Sequence, residues 1–578
     1  MSTSGQKNVK QEQSTIPVPR DLDPKQPDDS LEFLAIDPDG DLLLRAGTAL
    51  EGEKPCEFRV CSAALRRASQ VWKAMLFGPW QEAKPAHGDW IVDFPEDKPW
   101  PFRVVLAMVH GSFDAVPDCP SLEQLHDILM LTDKYDMIRV IRPWVAAWKS
   151  VVEGTIPATG LDHIRRVHAA WQLGSEELLC KASRAFALNV SIYKSEDEKR
   201  FYFRDQDLTL ASEDHSGPSE LMDIVLKFRL DIIQDYLDFY HLQVHRRTSN
   251  GATGCQAETL SKKYKFQYDP AALRKQHAEC DLWSLGHIMQ CLVTSGFQSL
   301  PRRAEEVTRS PSDLIALLGK MFPRFSDQSG VSSEAKCWYQ SVASDHKDCS
   351  PFRKLEELRD EAGKSKSRAT IPNDAETTAQ PETSQTTPPV IVLDPEGDLL
   401  LQVGTKLGPA QPCSFKVCSS TLRRASTVWK TMLFGPWTEA KPARGDWVVE
   451  LPEDDPRSIR IFLSILHLSF EEVPRAISLS DMYGVLILAD KYDLIHILRP
   501  WIEPWAATIK DPDQNASGKN HIMRMHAAWE LGYTSLFLEE SIELLFNFSG
   551  DEKQYYFKGQ PIEFGNHSGA PDLMARLA

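Results

Sequence analysis

Two short runs of apolar residues open the first patterned part of the chain. Asp41-Leu-Leu-Leu-Arg-Ala-Gly47 reads as a strand, and Cys56, Phe58 and Val60 fall on one face of a second. The period then becomes helical. Leu65, Ser69, Trp72 and Leu76 recur at helical spacing behind a candidate N-cap at Ser62, and Gly78-Pro79 stops the run. Gly88-Asp-Trp-Ile-Val-Asp-Phe-Pro95 reads as another strand, ended by proline. Phe102, Val105, Leu106 and Val109 line one helix, and Leu122, Leu125, Leu129 and Thr132 line the next, which runs into Asp133-Lys-Tyr-Asp136. A short helix ends in Arg142-Pro-Trp-Val-Ala-Ala-Trp148. Strands first and helices after, with short connections, predict an α+β domain of about 115 residues.

The same pattern then returns. Asp37-Pro-Asp-Gly-Asp-Leu-Leu-Leu reappears as Asp394-Pro-Glu-Gly-Asp-Leu-Leu-Leu, an offset of 357 (394 minus 37) that holds without a gap to Trp148 and Trp505. Over positions 37–90, 38 of 54 residues are identical to their counterparts at 394–447, so each copy is one constrained unit. The period is far too long for a solenoid or propeller, which leaves a duplicated domain. Beyond Trp148 the copies loosen but stay alike. His163-Ile-Arg-Arg-Val-His-Ala-Ala-Trp171 matches His521-Ile-Met-Arg-Met-His-Ala-Ala-Trp529, and His215-Ser-Gly matches His567-Ser-Gly.

These readings divide the chain as follows. Residues 1–30 form a polar, proline-bearing arm expected to be disordered, and 31–150 the first α+β module. An α-helical region at 151–360 includes the stretches Leu221 to Leu242 and Leu282 to Val293. Residues 361–389, almost without large apolar side chains, read as a flexible linker. The second module spans 390–507, and 508–578 reads as a truncated counterpart of the helical region. As a coil, the linker spans roughly 27–32 Å, so the tether permits the two modules to pair within one chain.

Composition narrows the function classes. Hydrophobic content of 42% supports real cores, and no apolar run approaches membrane length. A net charge of −17 argues against nucleic-acid or anionic-membrane binding, with Lys262-Lys263 and Arg302-Arg303 the strongest basic hints. Eleven cysteines behind no signal peptide read as reduced thiols of an intracellular protein, in cytoplasm or nucleus. The sequons at Asn189, Asn515, Asn547 and Asn566 would then stay unmodified.

Candidate chemistry is sparse. There is no phosphate loop, no Gly-x-Ser-x-Gly, no His-Glu-x-x-His and no Cys-x-x-Cys, so no catalytic or cofactor-binding residue is assigned. Asp133 and Asp136, beside Lys134 at a helix end, read as capping and surface charges rather than a carboxylate pair. Cys56 and Cys61, repeated as Cys413 and Cys418, should diverge across the strand and serve as buried small hydrophobes. The best metal candidates are His277, Cys280, Cys291, Cys337, His346 and Cys349. His277-x-x-Cys280 and His346-x-x-Cys349 each share a helical turn's spacing, enough for tetrahedral zinc if they converge, and otherwise ordinary buried thiols. No metal or other cofactor is assigned. His163 and His168 point apart on a helix and read as a packed face, as do His521 and His526. Trp72, Trp90, Trp144 and Trp148 read as core, and Trp80, after Gly78-Pro79, as the partly exposed one.

The order of these pieces resembles a BTB/POZ domain, in the divergent form common among filamentous fungi. The matching parts are the Gly-Asp-Leu-Leu-Leu strand and the Phe-x-Val-x-Ser-x-x-Leu-x-x-x-Ser turn and helix at 58–69 and 415–426. To these are added Phe94-Pro-Glu-Asp-Lys-Pro99 with Leu451-Pro-Glu-Asp-Asp-Pro456, and Leu-x-Asp-Lys-Tyr-Asp at 131–136 and 488–493. The resemblance implies two BTB-like modules, each a short mixed sheet capped by helices. It also implies a non-enzymatic interaction or scaffold protein with protein partners, by self-association or as an adaptor for a cullin-type ubiquitin ligase. A BTB-type transcription or chromatin regulator is the alternative, and an enzyme housed in 151–355 a third reading. Only Leu31-Glu-Phe-Leu-Ala-Ile-Asp37 and Pro389-Val-Ile-Val-Leu-Asp394 precede the first strands, too short for the leading helix of the family's swapped homodimers.

Overall fold

The computed structural model describes residues 31–194, 199–204, 206–208, 220–249, 281–282, 285–294, 296–319, 390–407, 412–510, 517–550 and 555–562. The arm at 1–30 and the linker at 361–389 lie outside them. Each repeat is built on a four-stranded mixed sheet. In the first, β2 (Leu42–Ala46) pairs antiparallel with β3 (Cys56–Val60), placing Leu44 opposite Phe58. The alternation buries Leu42, Leu44 and Ala46 on the same side as Cys56, Phe58 and Val60. β4 (Ile91–Phe94) adds parallel to β2. The strand β1 (Glu32–Ala35), absent from the sequence reading, adds parallel to β3 and gives the order β1-β3-β2-β4. It is solvent-facing along most of its length, so it carries no alternation to read.

Helices cover one face of this sheet. The helix read from Ser62 through Leu76 is two: α1 (Ser62–Ala68) and α2 (Gln70–Phe77). Ser69 breaks it. Its backbone is extended, its Oγ accepts from Trp72 N–H at 3.0 Å to cap α2, and the same hydroxyl donates to the Tyr135 carbonyl. Ser62 does not cap α1 either. Cys61 occupies that position, and Asp41 accepts from the Ser62 N–H and hydroxyl at 2.9 Å each, reaching over from the start of β2. α3 (Pro99–His110) and α4 (Leu122–Lys134) follow, α4 opening on a Ser121/Gln124 capping box. The short helix expected before Trp148 is a 3₁₀ run at Ile138–Trp144 continued by α5 (Val145–Gly154).

Two of the sequence motifs meet in space. Asp97 of the Phe-Pro-Glu-Asp-Lys-Pro segment is buried and receives Lys134 at 2.6 Å together with the Tyr135 hydroxyl, both from Asp133-Lys-Tyr-Asp136. Burial, then the Asp97 charge, pushes the Tyr135 phenol far above its ordinary range. Asp136 closes the turn in the left-handed region, at φ +50°.

The region 151–360 is not wholly helical. α6 (Gly160–Gln172) and α7 (Glu176–Asn189) form a hairpin, after which β5 (Val190–Lys194), β6 (Lys199–Phe203) and β7 (Gln206–Leu208) make an antiparallel meander. α8 (Glu220–Thr248) returns across α7. Its buried Arg229 donates to the carbonyls of Val190, Val307, Thr308 and Arg309. A second, smaller core joins Ile233, Leu237 and Tyr240 of α8 to Ile288 and Leu292 of α9 (285–294) and Leu314 of α10 (Pro311–Gly319).

The second repeat reproduces the first. β8 (Val390–Val392), β9 (Leu399–Val403), β10 (Cys413–Val417) and β11 (Val448–Leu451) take the order β11-β9-β10-β8, with Leu401 opposite Phe415. α11 (Ser419–Ala425), α12 (Thr427–Phe434), α13 (Pro456–Leu466), α14 (Leu479–Lys491) and α15 (Arg499–Lys510) follow in order. α16 (Gly518–Glu530), α17 (Thr534–Asn547) and a meander of β12 (Phe548–Gly550), β13 (Tyr555–Phe557) and β14 (Gln560–Pro561) complete it. The duplication therefore extends past Trp505 into the tail. One continuous apolar core runs through both repeats. No helix among the described residues is long and apolar enough to cross a membrane.

Candidate functional site: the seam between the repeats

Elementary turn chemistry places the first component. In Asp37-Pro-Asp-Gly40, Asp37 Oδ1 accepts from Asp39 N–H at 3.0 Å, which fixes the carboxylate at the head of the turn. Gly40 must be glycine, because a Cβ there would sit 2.4 Å from the Val60 carbonyl oxygen. Asp394, Glu396 and Gly397 repeat the arrangement. The second component is the last turn of α1 and of α11, where Arg66-Arg67 and Arg423-Arg424 stand.

The repeats face each other so that each basic pair meets the other's turn. Arg67 Nη1 lies 3.2 Å from Asp394 Oδ2, Arg66 Nη2 lies 3.3 Å from the same oxygen, and Arg66 also reaches Glu396. On the two-fold-related side, Arg424 and Arg423 approach Asp37 at 3.8 and 3.9 Å. At the rim, Lys73 holds Glu396 at 2.9 Å and Lys430 holds Asp39 at 2.8 Å. Residue i meets j and j's counterpart meets i's, the signature of a two-fold interface, here closed within one chain. The two halves differ for a visible reason. Thr421 Oγ1 accepts from Arg67 Nη2 at 2.8 Å and steadies it toward Asp394. The counterpart of Thr421 is Ala64, and Arg424 instead donates from Nε to the His110 carbonyl at 3.0 Å.

Below the charges lies a neutral histidine pair. Cys61 N–H donates to His110 Nε2 at 3.0 Å, and His110 Nδ1 donates to the Leu106 carbonyl at 2.8 Å. Cys418, His467 and Leu463 do the same at 3.1 and 2.9 Å. These bonds require the Nδ1–H tautomer. Burial first, then the Arg424 charge, holds His110 well below the usual imidazole range, and burial and Arg67 do so for His467. Cys61 Sγ lies 3.6 Å from Ser420 Oγ, and that hydroxyl lies 3.1 Å from Cys418 Sγ. Burial raises the Cys418 thiol, but the Arg67 charge and the Ser420 and Thr421 hydrogen bonds outweigh it and lower it overall. These two cysteines thus belong to the seam, whereas Cys56 stays beneath its own sheet, where burial pushes its thiol up to about 11.

An aromatic cluster closes the lower edge. Phe113 lies 6.4 Å from Phe470 and 6.1 Å from Trp501, centroid to centroid, and Phe470 lies 5.4 Å from Trp501. Arg499 Nη1 donates to the Phe113 carbonyl at 3.2 Å and Nη2 pairs with Asp118 at 2.7 Å. Its counterpart Arg142 faces Arg475 instead, and after burial that like charge is the chief reason its guanidinium is lowered.

No protein-family model matches the chain, and no curated protein matches it.

Of the residues singled out in the sequence, His277, Cys280, Cys337, His346 and Cys349 lie outside the described residues. Cys291 is described, 3.5 Å from His287 Nε2. Among the described residues, no group of three or more His, Cys, Asp or Glu side chains is placed to hold a metal. His163 and His168 are both buried and pack on different rings. His163 packs on Phe203 and is lowered to about 4 by burial and then Arg204, while His168 packs on His126. In the second repeat, His521 instead pairs with buried Glu540 at 2.6 Å. His110 and His467 went unread in the sequence. The available signal was a histidine recurring at the same offset inside Leu-Ala-Met-Val-His110 and Leu-Ser-Ile-Leu-His467.

The histidine pair sets a pH dependence. Folded His110 and His467 are neutral, whereas unfolded histidine titrates near 6.5. The unfolded chain therefore binds more protons below about pH 6.5, so stability is full above that pH and falls as the pH drops through it. Asp39 is lowered, chiefly by its Lys430 hydrogen bond, and Glu396 chiefly by Lys73. Their contribution is lost only further down, below the ordinary carboxylate range of about 4. A denaturation midpoint that falls between pH 7.5 and 5.5 is expected, with the slope reduced in His110→Asn. An unchanged slope in that variant would show that other groups control this window.

Proposed function

We propose that the chain is a non-enzymatic interaction protein of the BTB/POZ type, in which the two modules pair with each other and act as one scaffold. The observation that carries this reading is a patch displayed twice. With the seam occupied inside the chain, Phe77 and Trp80 of the first repeat and Phe434 and Trp437 of the second remain in solvent, Trp80 at 62% exposure and Trp437 at 59%. Phe77 and Phe434 are the last residues of their helices, and Trp80 and Trp437 follow Gly78-Pro79 and Gly435-Pro436, where Gly78 and Gly435 leave no room for a Cβ beside the carbonyls of Ala74 and Thr431. Arg66 and Arg423 lie over the Phe77 and Phe434 rings at 5.7 and 5.6 Å, so each patch borders the seam. Exposed aromatics with a bordering arginine have the composition of interaction hot spots.

Two equal patches on one rigid pair favour a partner that is itself paired or repeated, since the second contact forms at high effective concentration. A cullin-type ubiquitin-ligase scaffold is the partner we propose to test first. Purified full-length chain is titrated with a purified cullin-type protein, alongside Trp80→Ala/Trp437→Ala. Binding weakened at least about tenfold in the double variant, at unchanged melting temperature, is the expected result. Equal binding by both proteins would remove the patches from the reading, and no binding at all would remove the cullin adaptor.

A further inference from the structure

We propose that Cys61 and Cys418 form a thiol pair beside the two-fold axis of the seam, which a peroxide converts into a disulfide that fastens the two repeats to each other. A residue beside a two-fold axis faces its own counterpart. These two cysteines are counterparts at the offset of 357 (418 minus 61). A single hydroxyl touches both. Ser420 Oγ lies 3.1 Å from Cys418 Sγ and 3.6 Å from Cys61 Sγ, so the sulfurs stand no farther apart than those two contacts laid end to end. The backbone beneath each is fixed, because the cysteine N–H is held by a buried histidine, His110 or His467. Neither cysteine is in a disulfide, and each keeps a narrow opening to solvent, at 6% and 7% exposure.

The surroundings suit oxidation here, where those of the other recurring pair do not. Burial raises the thiols of Cys56 and Cys413 beneath their sheets. Burial acts on Cys418 in the same direction, yet the Arg67 charge, the Ser420 hydroxyl and the Thr421 N–H outweigh it and favour the thiolate, the reactive form. Arg424 lies within charge reach of both sulfurs. An asymmetry assigns the roles. The counterpart of Ser420 is Ala63, so Cys418 alone has a hydroxyl of its own repeat to steady its charge. The Cys418 thiolate therefore attacks the peroxide. Its sulfur takes one oxygen as a sulfenic acid, the O–O bond breaks, and the other oxygen leaves as hydroxide, which takes up the proton the thiol released. Cys61 then attacks the Cys418 sulfur. The S–S bond forms, the S–O bond breaks, and the departing hydroxide leaves as water with the Cys61 proton. Two thiols have given up two electrons, and hydrogen peroxide has become two waters. Both side chains turn inward about Cα–Cβ as the bond closes, displacing the Ser420 hydroxyl. The product opposes opening of the seam, and a dithiol reverses it.

The test treats the reduced full-length chain with hydrogen peroxide, in a Cys119→Ser background that removes an exposed thiol. Non-reducing peptide mapping is expected to find Cys61 joined to Cys418, with Cys56 and Cys413 still thiols. Hydrogen exchange of α1 and α11 should slow at least about tenfold on oxidation and return with a dithiol. Cys61→Ser should stop the reaction at a Cys418 sulfenic acid, captured by dimedone, whereas Cys61 should stay a thiol in Cys418→Ser. Mapping of the chain that keeps both cysteines decides the question even if one of these variants fails to fold. The inference rests on the pairing of the two modules, which exchange protection of α1 and α11 in the reduced chain reports separately. If that protection is present and Cys61 and Cys418 stay unlinked, or become linked with exchange unchanged, this inference alone is overturned. If the protection is absent before oxidation, the pairing falls and takes the inference with it.

Discussion

Arg67→Ala will cost the pairing of the two repeats about 3–5 kcal/mol, the usual effect of stripping one partner from a buried ion pair. Arg67 and Asp394 are both nearly inaccessible, with side chains 7% and 4% exposed. Removing the guanidinium leaves Asp394 desolvated beside Arg66 alone and strands the Thr421 hydroxyl. The loss is therefore larger than the few tenths of a kcal/mol expected for Lys73→Ala at the rim, where Lys73 and Glu396 are each about half-exposed. Hydrogen exchange of α1, α11 and the Asp394 turn measures it, through protection lost at the seam while the sheets remain protected. Replacing both partners by apolar residues of similar volume, as in Arg67→Met with Asp394→Leu, should restore most of the loss. If the double replacement is as damaging as the single one, the seam depends on the charge itself and not on avoiding an unpaired one.

Trp72→Ala is expected to destabilise the first repeat by about 3–5 kcal/mol, through lost burial and the cavity left behind. The indole is 1% exposed and sits among Phe94 at 5.2 Å, Tyr135 at 5.0 Å and Phe102 at 6.1 Å. It thus joins α2, β4, α3 and the Lys134-Tyr135 turn. The equivalent Trp429 stacks on Tyr492 at 4.6 Å, which makes Trp429→Ala an internal replicate in the second repeat. Loss of exchange protection in β2, β3 and α4, with β9 and β10 spared, is the expected pattern. A cost below about 0.5 kcal/mol, the range of surface changes, would mean that the aromatic cluster is not the core.

What could be read in the sequence follows from how far apart the cause and its signal lie. β2, β3, α3 and α4 were legible because burial of one face writes a period into the residues themselves. Trp80 was legible as exposed because Gly78-Pro79 ends the helix before it. β1 was not, since Glu32–Ala35 earns its place by hydrogen bonding to β3 and not by a buried face. The break at Ser69 was hidden because Leu65, Trp72 and Leu76 keep helical spacing across it, and only the Tyr135 carbonyl explains the extended serine. In 151–360, the meander escaped notice because its strands of three to five residues are too short to show alternation against the surrounding helices. The seam was the least legible of all. Asp37 and Arg424 are 387 residues apart (424 minus 37), and each alone reads as an ordinary surface charge. Their one mark in the sequence is that both recur at the same offset, as Asp394 and Arg67.

The order of synthesis gives the seam a history. The first repeat is complete some 357 residues before the second, which at ribosomal speeds is roughly 20–70 s. Throughout that interval Asp37, Arg67 and Phe113 have no cognate surface within their own chain. Were two first repeats to meet in the same arrangement, Arg142 of each would face Asp118 of the other, a pairing that the finished chain has on one side only. The second repeat cannot compensate by pairing with its own kind, since Arg499 would meet Arg475 twice. The seam is thus closed late, by a surface that the ribosome delivers only after the first repeat has waited with its charges in water.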